Sequence, residues 1–537
     1  MAKYSLGIDF GTLSARAVIV NIETKEEIAS SVHEYKHGVI TENLPENYAL
    51  QHPADYIEAL YFIIKNCIEK SSVNPSDIVG VGVDFTSCTI LPVDKNGTPL
   101  CFLDEFRDNP HAYVKLWKHH ATQKEADEIT NLAKETNAPW LGQYGETTSC
   151  EGMFPKILEI LKADENLYNK THRFIEAGDW IVWLLTGKET HSVCATGFKA
   201  IWNEKTGYPD KEFLKKLDPR LENIVGTKLS TDIKLLSETA GYITKEIADK
   251  TGLIEGTPVS PPFIDAHAAL PALGVTKPGE LLMILGTSSC HIALSDKEMN
   301  IPGICGYVKN GIIDGLYAFE AGQPCVGDCL NWFVENCTPH AYYVEAEKEG
   351  VSIHQYLTEK AKIISPHENS LVALDWWNGS RTPYVNANLS GKILGLTLAT
   401  KSEEIYRALI EATAYGTKRI IDIYEENGIE INKVYATGGI AEKNELFMQI
   451  YSDVTGKEIF LSDTPYGCAY GSAVLGATHY EKYGSLPIAS EKMKKIKPFT
   501  YKPNPENKEI YQKLYKKYVS LSEYFAKGEL SNQKKKM

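Results

Sequence analysis

No stretch of this 537-residue chain fits G-x-x-x-x-G-K-[ST], so a Walker-type loop is not on offer for holding nucleotide phosphates. No apolar run is long enough to span a bilayer, and Asp9 and Arg16 break the apolar opening where a signal peptide needs an unbroken core. Positive charge is not in excess either. The formal net charge is −14 and the pI about 5.6, which argues against nucleic acid or an anionic membrane as the main partner. A phosphate ligand stays open, because a few local donors and a cation can set the field of one site. The 11 cysteines are odd in number and scattered, and the closest pair, Cys325 and Cys329, has no second pair to complete a zinc site. Reduced, mostly buried thiols in a cytoplasmic protein are the expected state. The sequons at Asn96 and Asn378 then read as turns.

What is present begins at Leu6. An apolar strand carrying Asp9 breaks at Gly11-Thr12, offers Ser14 and Arg16, and becomes a second apolar strand. This predicts a β-hairpin whose turn faces a phosphate and whose Asp9 faces a cation. Glu280 to Leu294 repeats the pattern around Gly286-Thr287-Ser288, and Gly438-Gly439 forms a third turn ahead of a helix over Asn444 to Val454. A plain hairpin would account for one such turn. Three together supply the backbone N–H groups, hydroxyls and close backbone approach that a nucleotide requires.

Between these turns the chain alternates strands and helices, an α/β pattern. Glu27 to Tyr35 and Val79 to Val83 read as strands. Pro53 to Glu69, Ala126 to Thr136, Pro155 to Asp164, Glu403 to Asn427 and Ala469 to Tyr483 read as helices. At 537 residues two large domains are the default, and the Gly- and Pro-rich stretch Gly252 to Pro262 marks the division. Gln533 to Lys536 reads as a solvated basic tail.

His33-Glu34-Tyr35-Lys36-His37 matches H-E-x-x-H, but it lies in a strand-like stretch ending at Gly38. On a strand that spacing no longer puts both histidines on one face, so no metalloprotease is expected. Asp265 ends the apolar run Phe263-Ile264 and can begin a helix. It could serve as that helix's N-cap. A carboxylate there can also accept a proton from an alcohol attacking a γ-phosphate. His267 is the rival base, and two residues into the helix it should point to another face.

Together, Asp9 to Arg16, Asp265, Gly286 to Ser288 and Gly438-Gly439 resemble the FGGY carbohydrate kinases over nearly the whole chain, from Gly7 to Gly484. Gly391 to Leu396, followed by Glu404-Ile405, Ala408 and Ile410-Glu411, is similar to the family's C-terminal signature, with Leu409 departing from it. Lys156-Ile157-Leu158 is similar to the N-terminal signature, with Glu159 where the family often has Trp. The strings Val83 to Thr89, Asn109 to Ala112, Lys115 to Ala121, Gly197 to Ala200 and Phe319 to Gln323 resemble the branch of the family that acts on L-ribulose. Trp117-Lys118-His119 lacks the acid of the Trp-x-Asp-x-Arg found in many sugar kinases, which counts against glycerol and xylulose.

The resemblance implies two ribonuclease-H-like (actin-like ATPase) domains of α/β class with a cleft between them. They are expected over residues 1–258 and 259–500, with a helix and tail over 501–537. It implies ATP and Mg²⁺ as cofactors and phosphorylation of L-ribulose at the 5-hydroxyl, a step of L-arabinose catabolism, with D-ribulose as a further candidate substrate. Asp265 would be the base, and Asp9 and Asp265 would flank Mg²⁺. Gly11, Thr12, Ser14 and Arg16 would hold the outer phosphates, with Gly286, Thr287 and Ser288 approaching from the other domain. Gly438, Gly439 and Asn444 would line the adenosine side. Ser87, Lys199, Asp265 and Glu320 would hold the sugar. Without the resemblance, Lys199 and Glu320 read as surface ion-pair partners and Ser87 as a turn residue. The expected partners are a small sugar and MgATP, with no nucleic acid and no membrane, and a homodimer as the candidate assembly. Kinases for D-ribulose, ribitol or xylulose, and an actin- or chaperone-like ATPase, are the alternatives.

Overall fold

In a computed structural model, which describes residues 2–367 and 370–527, two seven-stranded sheets organise the chain. The first begins with strands β1 (Tyr4–Phe10), β2 (Ser14–Asn21) and β3 (Glu27–Glu34), a meander of antiparallel neighbours. Helix α1 (Pro53–Ser71) covers it, burying Tyr56, Leu60, Ile63, Ile64 and Cys67 at helical spacing. Strand β4 (Ile78–Phe85) then runs parallel to β1, buried on both faces. β5 (Gly241–Tyr242), β6 (Pro258–Val259) and β7 (Phe263–Ile264) complete the sheet, in the order β5-β6-β4-β1-β2-β3, with β7 also on β4. The chain therefore contributes to its first sheet as far as Ile264.

The second sheet repeats this logic. Hairpin β8 (Glu280–Leu285) and β9 (Ser289–Ser295) is joined on one side by β10 (Gly306–Lys309) and β11 (Tyr317–Gln323). On the other side lie the parallel strands β12 (Lys433–Thr437) and β13 (Ile459–Ser462), with β14 (Ile496–Tyr501) at the edge. In each half a hairpin feeds a third antiparallel strand and then parallel crossovers, which is the ribonuclease-H-like arrangement, and a cleft opens between the two. A separate apolar cluster from Ile90 to Leu229 forms an added lobe on the first half.

Helix α2 (Asp265–Leu273) and helix α3 (Gly467–Gly476) join the halves. Helix α3 lies directly on β1 and β4. A Cβ at Gly7 would fall 1.8 Å from Ala469 O, and one at Gly82 would fall 1.9 Å from Ser472 O. Only glycine permits that approach.

The expected helix Ala469 to Tyr483 is shorter than its apolar pattern. It starts at Gly467 and ends at Gly476, and a single 3₁₀ turn follows at Ala477–His479. The helix expected over Ala126 to Thr136 runs over Gln123–Glu135, and that over Glu403 to Asn427 over Ser402–Glu426. His33 and Glu34 lie on β3 and His37 follows it, bonded to Asp55 at 2.7 Å, so H-E-x-x-H forms no helical metal face. Helix α4 (Pro505–Lys527) closes the described chain; the basic tail at Gln533 to Lys536 lies outside it. Among the described residues no helix is long and apolar enough to cross a membrane. All 11 cysteines are free, six of them buried.

Candidate active site

Three strands running the same way end side by side, and each delivers a carboxylate. Asp9 and Asp84 are register partners on β1 and β4, and β7 pairs Phe263 with Asp84 before Asp265 starts α2. The carboxyl ends of parallel strands are where α/β folds bind ligands. Asp9 lies 3.4 Å from the Arg16 guanidinium, its register partner on β2. Burial pushes Asp9 above the ordinary carboxylate range, against the pull of Arg16 and a hydrogen bond with Asp84. Asp84 is fully buried. Burial and the neighbouring Asp9 charge push it well above its usual range. Its Oδ2 accepts from Ser472 Oγ at 2.6 Å, a bond that reaches α3. Sequence reasoning gave Asp84 no role; the available signal was an acid closing an apolar run, as at Asp9.

Asp265 is the first residue of α2, and the cap position before it is Ile264. Its Oδ1 accepts the Ala266 N–H at 2.7 Å. Burial pushes its pKa up to about 7, with Asp9 adding to the rise. His267 faces elsewhere. Its Nε2 lies 3.0 Å from Glu320, its Nδ1 lies 3.2 Å from the Cys194 thiol, and burial holds it neutral. In the tautomer that satisfies both contacts, Nε2–H donates to Glu320.

Lys199, at the end of the helix Val193–Lys199, donates to both oxygens of Glu320 on β11, at 3.0 and 3.2 Å. Burial opposes both charges. Each nevertheless holds the other ionised, Lys199 well above its usual value and Glu320 well below. The pair spans the two halves and is buried, so the surface ion-pair alternative does not hold. It forms one wall of a 540 Å³ cavity that also meets Cys88, Tyr144, Glu151 and Arg381. Glu151 and Arg381, which sequence reasoning missed, face each other across the cleft at 3.7 Å. Ser87 adjoins Cys88 at the inner end. Neither Ser87 nor Asp265 lines the cavity itself.

Each Gly-Thr turn is closed by a backbone bond from its glycine, to the third residue on in the first and to the second in the other. Gly11 N–H donates to Ser14 O and Gly286 N–H to Ser288 O, both at 3.0 Å. Thr12 is anchored by Trp117 Nε1 on its hydroxyl at 3.1 Å and by Gln51 Nε2 on its carbonyl at 2.6 Å. Arg16 Nε is buried without a hydrogen-bond partner. Gly438 has φ +101° and passes close to β8, where a Cβ would fall 2.4 Å from Leu285 O. Gly439 opens a short helix (Gly439–Lys443) rather than a simple turn, and nothing lies within 4 Å of its Cβ position. Asn444 caps the next helix, Glu445–Thr455, accepting the Phe447 N–H at 3.0 Å.

The departure at Glu159 also finds its reason. Its carboxylate lies 2.7 Å from Lys115 and 3.0 Å from His119, two residues of the Lys115 to Ala121 string. Burial would raise Glu159, but His119 and Lys115 together draw it down to about 2. A depressed folded-state carboxylate contributes stability that is complete above its unfolded pKa and is lost as pH falls through the folded one. Glu159→Gln is therefore expected to destabilise by about 3 kcal/mol at pH 7. Denaturant melts from pH 7 to 2 should show that difference shrinking below about pH 4.5. A pH-independent difference would contradict the ion-pair account.

Three comparisons bear on this arrangement. The profile "FGGY family of carbohydrate kinases, N-terminal domain" matches residues 4–271, and that of the C-terminal domain matches residues 281–480. The chain belongs to the FGGY family of carbohydrate kinases, and as such is an ATP-using sugar kinase. The ribulokinase of Bacillus licheniformis is 48% identical over 526 residues, covering 96% of this chain and 95% of its own. That of Mycolicibacterium smegmatis is 42% identical, covering 98% of this chain and 94% of its own. Among solved structures, the ligand-bound xylulose kinase of Lactobacillus acidophilus superposes with a TM-score of 0.82 at 18% identity, covering 98% of this chain and 99% of its own. At that identity the likeness speaks for the fold alone.

Proposed function

We propose that this chain transfers the γ-phosphoryl group of ATP to the 5-hydroxyl of L-ribulose, with D-ribulose as a second acceptor, in L-arabinose degradation. The observation that carries the reading is the buried Lys199–Glu320 pair, whose charges act on Asp265, joined to near-full-length likeness to ribulokinases. A cation and an acid side by side can receive a keto oxygen and hydroxyls of an open-chain sugar. Asp265 takes the proton of the 5-hydroxyl as that oxygen attacks. Phosphoryl transfer needs positioning and charge neutralisation more than a strong base.

The donor side divides between the halves. Gly11, Thr12, Ser14 and Arg16 hold the outer phosphates, with Gly286, Thr287 and Ser288 opposite. Gly438, Gly439 and Asn444 line the adenosine. The open space at Gly439 suits this assignment, as does Arg16 Nε, which makes no hydrogen bond and is engaged only by the 3.4 Å ion pair with Asp9. Among the described residues no three His, Cys, Asp or Glu side chains form a closed metal cage. Mg²⁺ does not need one, because it takes one or two carboxylates and completes its shell with water and phosphate oxygens. The all-oxygen set of Asp9 and Asp265 fits, and a bound Mg²⁺ would neutralise phosphate charge there. In this reading residues 1–258 supply most of the sugar and phosphate contacts, and residues 259–500 supply the base and the adenosine contacts together with Glu320 and the second Gly-Thr turn.

The net charge of −14 supports a small-molecule enzyme without nucleic acid or membrane partners, in a cytoplasm that keeps its thiols reduced. A homodimer is the assembly we propose. Nuclear magnetic resonance of the product tests the reaction. With MgATP and L-ribulose, phosphorus coupling is expected on C4 and C5. Coupling on C1 and the carbonyl C2, or release of inorganic phosphate alone, would refute the reading.

A further inference from the structure

Lys156 is fully buried, yet the mechanism above does not use it. It sits in the helix Met153–Ala163 of the added lobe. Among the described residues no carboxylate lies within ion-pair distance of it. Its Nζ instead donates to two backbone carbonyls, Cys88 O and Leu116 O, the latter at 3.0 Å. An ammonium stripped of water and given only carbonyls is expensive to keep, so those two contacts need an explanation.

Cys88 lines the acceptor cavity, and Leu116 belongs to the segment that reaches the phosphate-side turn. Cys88 follows Ser87 and has φ +55°, in the left-handed region that a side chain disfavours. The turn is pinned from its other end as well. Thr89 N–H donates to Glu176 Oε2 at 3.0 Å, and the Thr89 hydroxyl lies 2.9 Å from Thr86 Oγ1 and 3.2 Å from Ser87 O. Leu116 precedes Trp117, whose indole N–H holds Thr12 of the phosphate turn. One ammonium thus ties the sugar-side turn to the segment that reaches the phosphate-side turn. Burial lowers the Lys156 pKa, while Glu176 and Glu151 favour its charge from farther off.

We infer that Lys156 is a positioning residue for the acceptor sugar, setting the spacing between the Ser87–Thr89 turn and the Leu116–Trp117 segment. The inference rests on the proposed sugar site. The effect is expected on the sugar side rather than the donor side, because Thr12 keeps a second anchor, from Gln51, that does not run through Leu116.

The test is steady-state kinetics of Lys156→Met in the full chain, alongside wild type. Wild-type turnover of L-ribulose is the control for the sugar site, since its absence would sink that reading and not this one. For K156M we expect the L-ribulose KM to rise at least tenfold while the ATP KM stays within threefold. Lys156→Gln, which can still reach one carbonyl, should fall between. A merely structural lysine would lower the yield of folded protein and leave both KM values of the folded fraction unchanged. An L-ribulose KM within twofold of wild type in folded K156M would overturn the proposal, as would an equal rise in both KM values. If K156M does not fold, folded K156Q decides: an L-ribulose KM raised more than twofold with a smaller change in the ATP KM supports the proposal, and any other result overturns it. Failure of both to fold would assign the residue to stability and also overturn it.

Discussion

Asp265→Asn should lose about a thousandfold in turnover, within the range usual for removing a general base. Its L-ribulose KM should change only a few-fold, because Lys199 and Glu320, which grip the sugar in this account, are untouched. The variant should also be at least as stable as wild type. Burial lifts the Asp265 pKa to about 7, so the ionised side chain is a strain on the empty folded state that the amide removes. The bond from Ala266 N–H survives, because the amide oxygen still accepts. Loss of activity with an unchanged or higher melting temperature therefore separates chemistry from folding. Turnover within tenfold of wild type in a folded variant would remove Asp265 from the base role.

Gly7→Ala should be strongly destabilising for a change of one methyl group. Its Cβ would sit 1.8 Å from Ala469 O, where an ordinary contact needs about twice that. The obstacle is helix backbone, so no rotamer change relieves it. Helix α3 must withdraw from β1, and Ser472 must loosen from Asp84. We expect about 3–5 kcal/mol of destabilisation, or roughly a 10 °C fall in melting temperature. Turnover should fall too, because the same displacement disturbs the carboxylates at the strand ends. A melting temperature and turnover equal to wild type would show that α3 does not sit on the sheet as described.

The parts of the site carried by local pattern could be read from the chain. Asp9 with its turn, the second turn at Gly286 and the acid at Asp265 all stand where a strand breaks, and strand breaks are visible in sequence. Asp84 was hidden because its importance comes from register: only pairing of β4 with β1 brings it beside Asp9. Glu151 and Arg381 are 230 residues apart and meet only when the cleft forms. Lys156 was legible as part of a family signature but not by role, since its burial against two distant carbonyls appears only in the fold. The overlong helix expected after Ala469 has a similar cause. Apolar residues continue past Gly476 because the segment stays buried, not because it stays helical. Glu159 seemed a departure from a family pattern until Lys115 and His119 were found beside it.

The most direct test of the account is ADP release with MgATP against L-ribulose, D-ribulose, D-xylulose, ribitol and glycerol, with a control lacking sugar. The account predicts the greatest turnover with the two ribuloses and almost none without an acceptor. Equal ADP release in the absence of sugar, or none with any of the five, would contradict it.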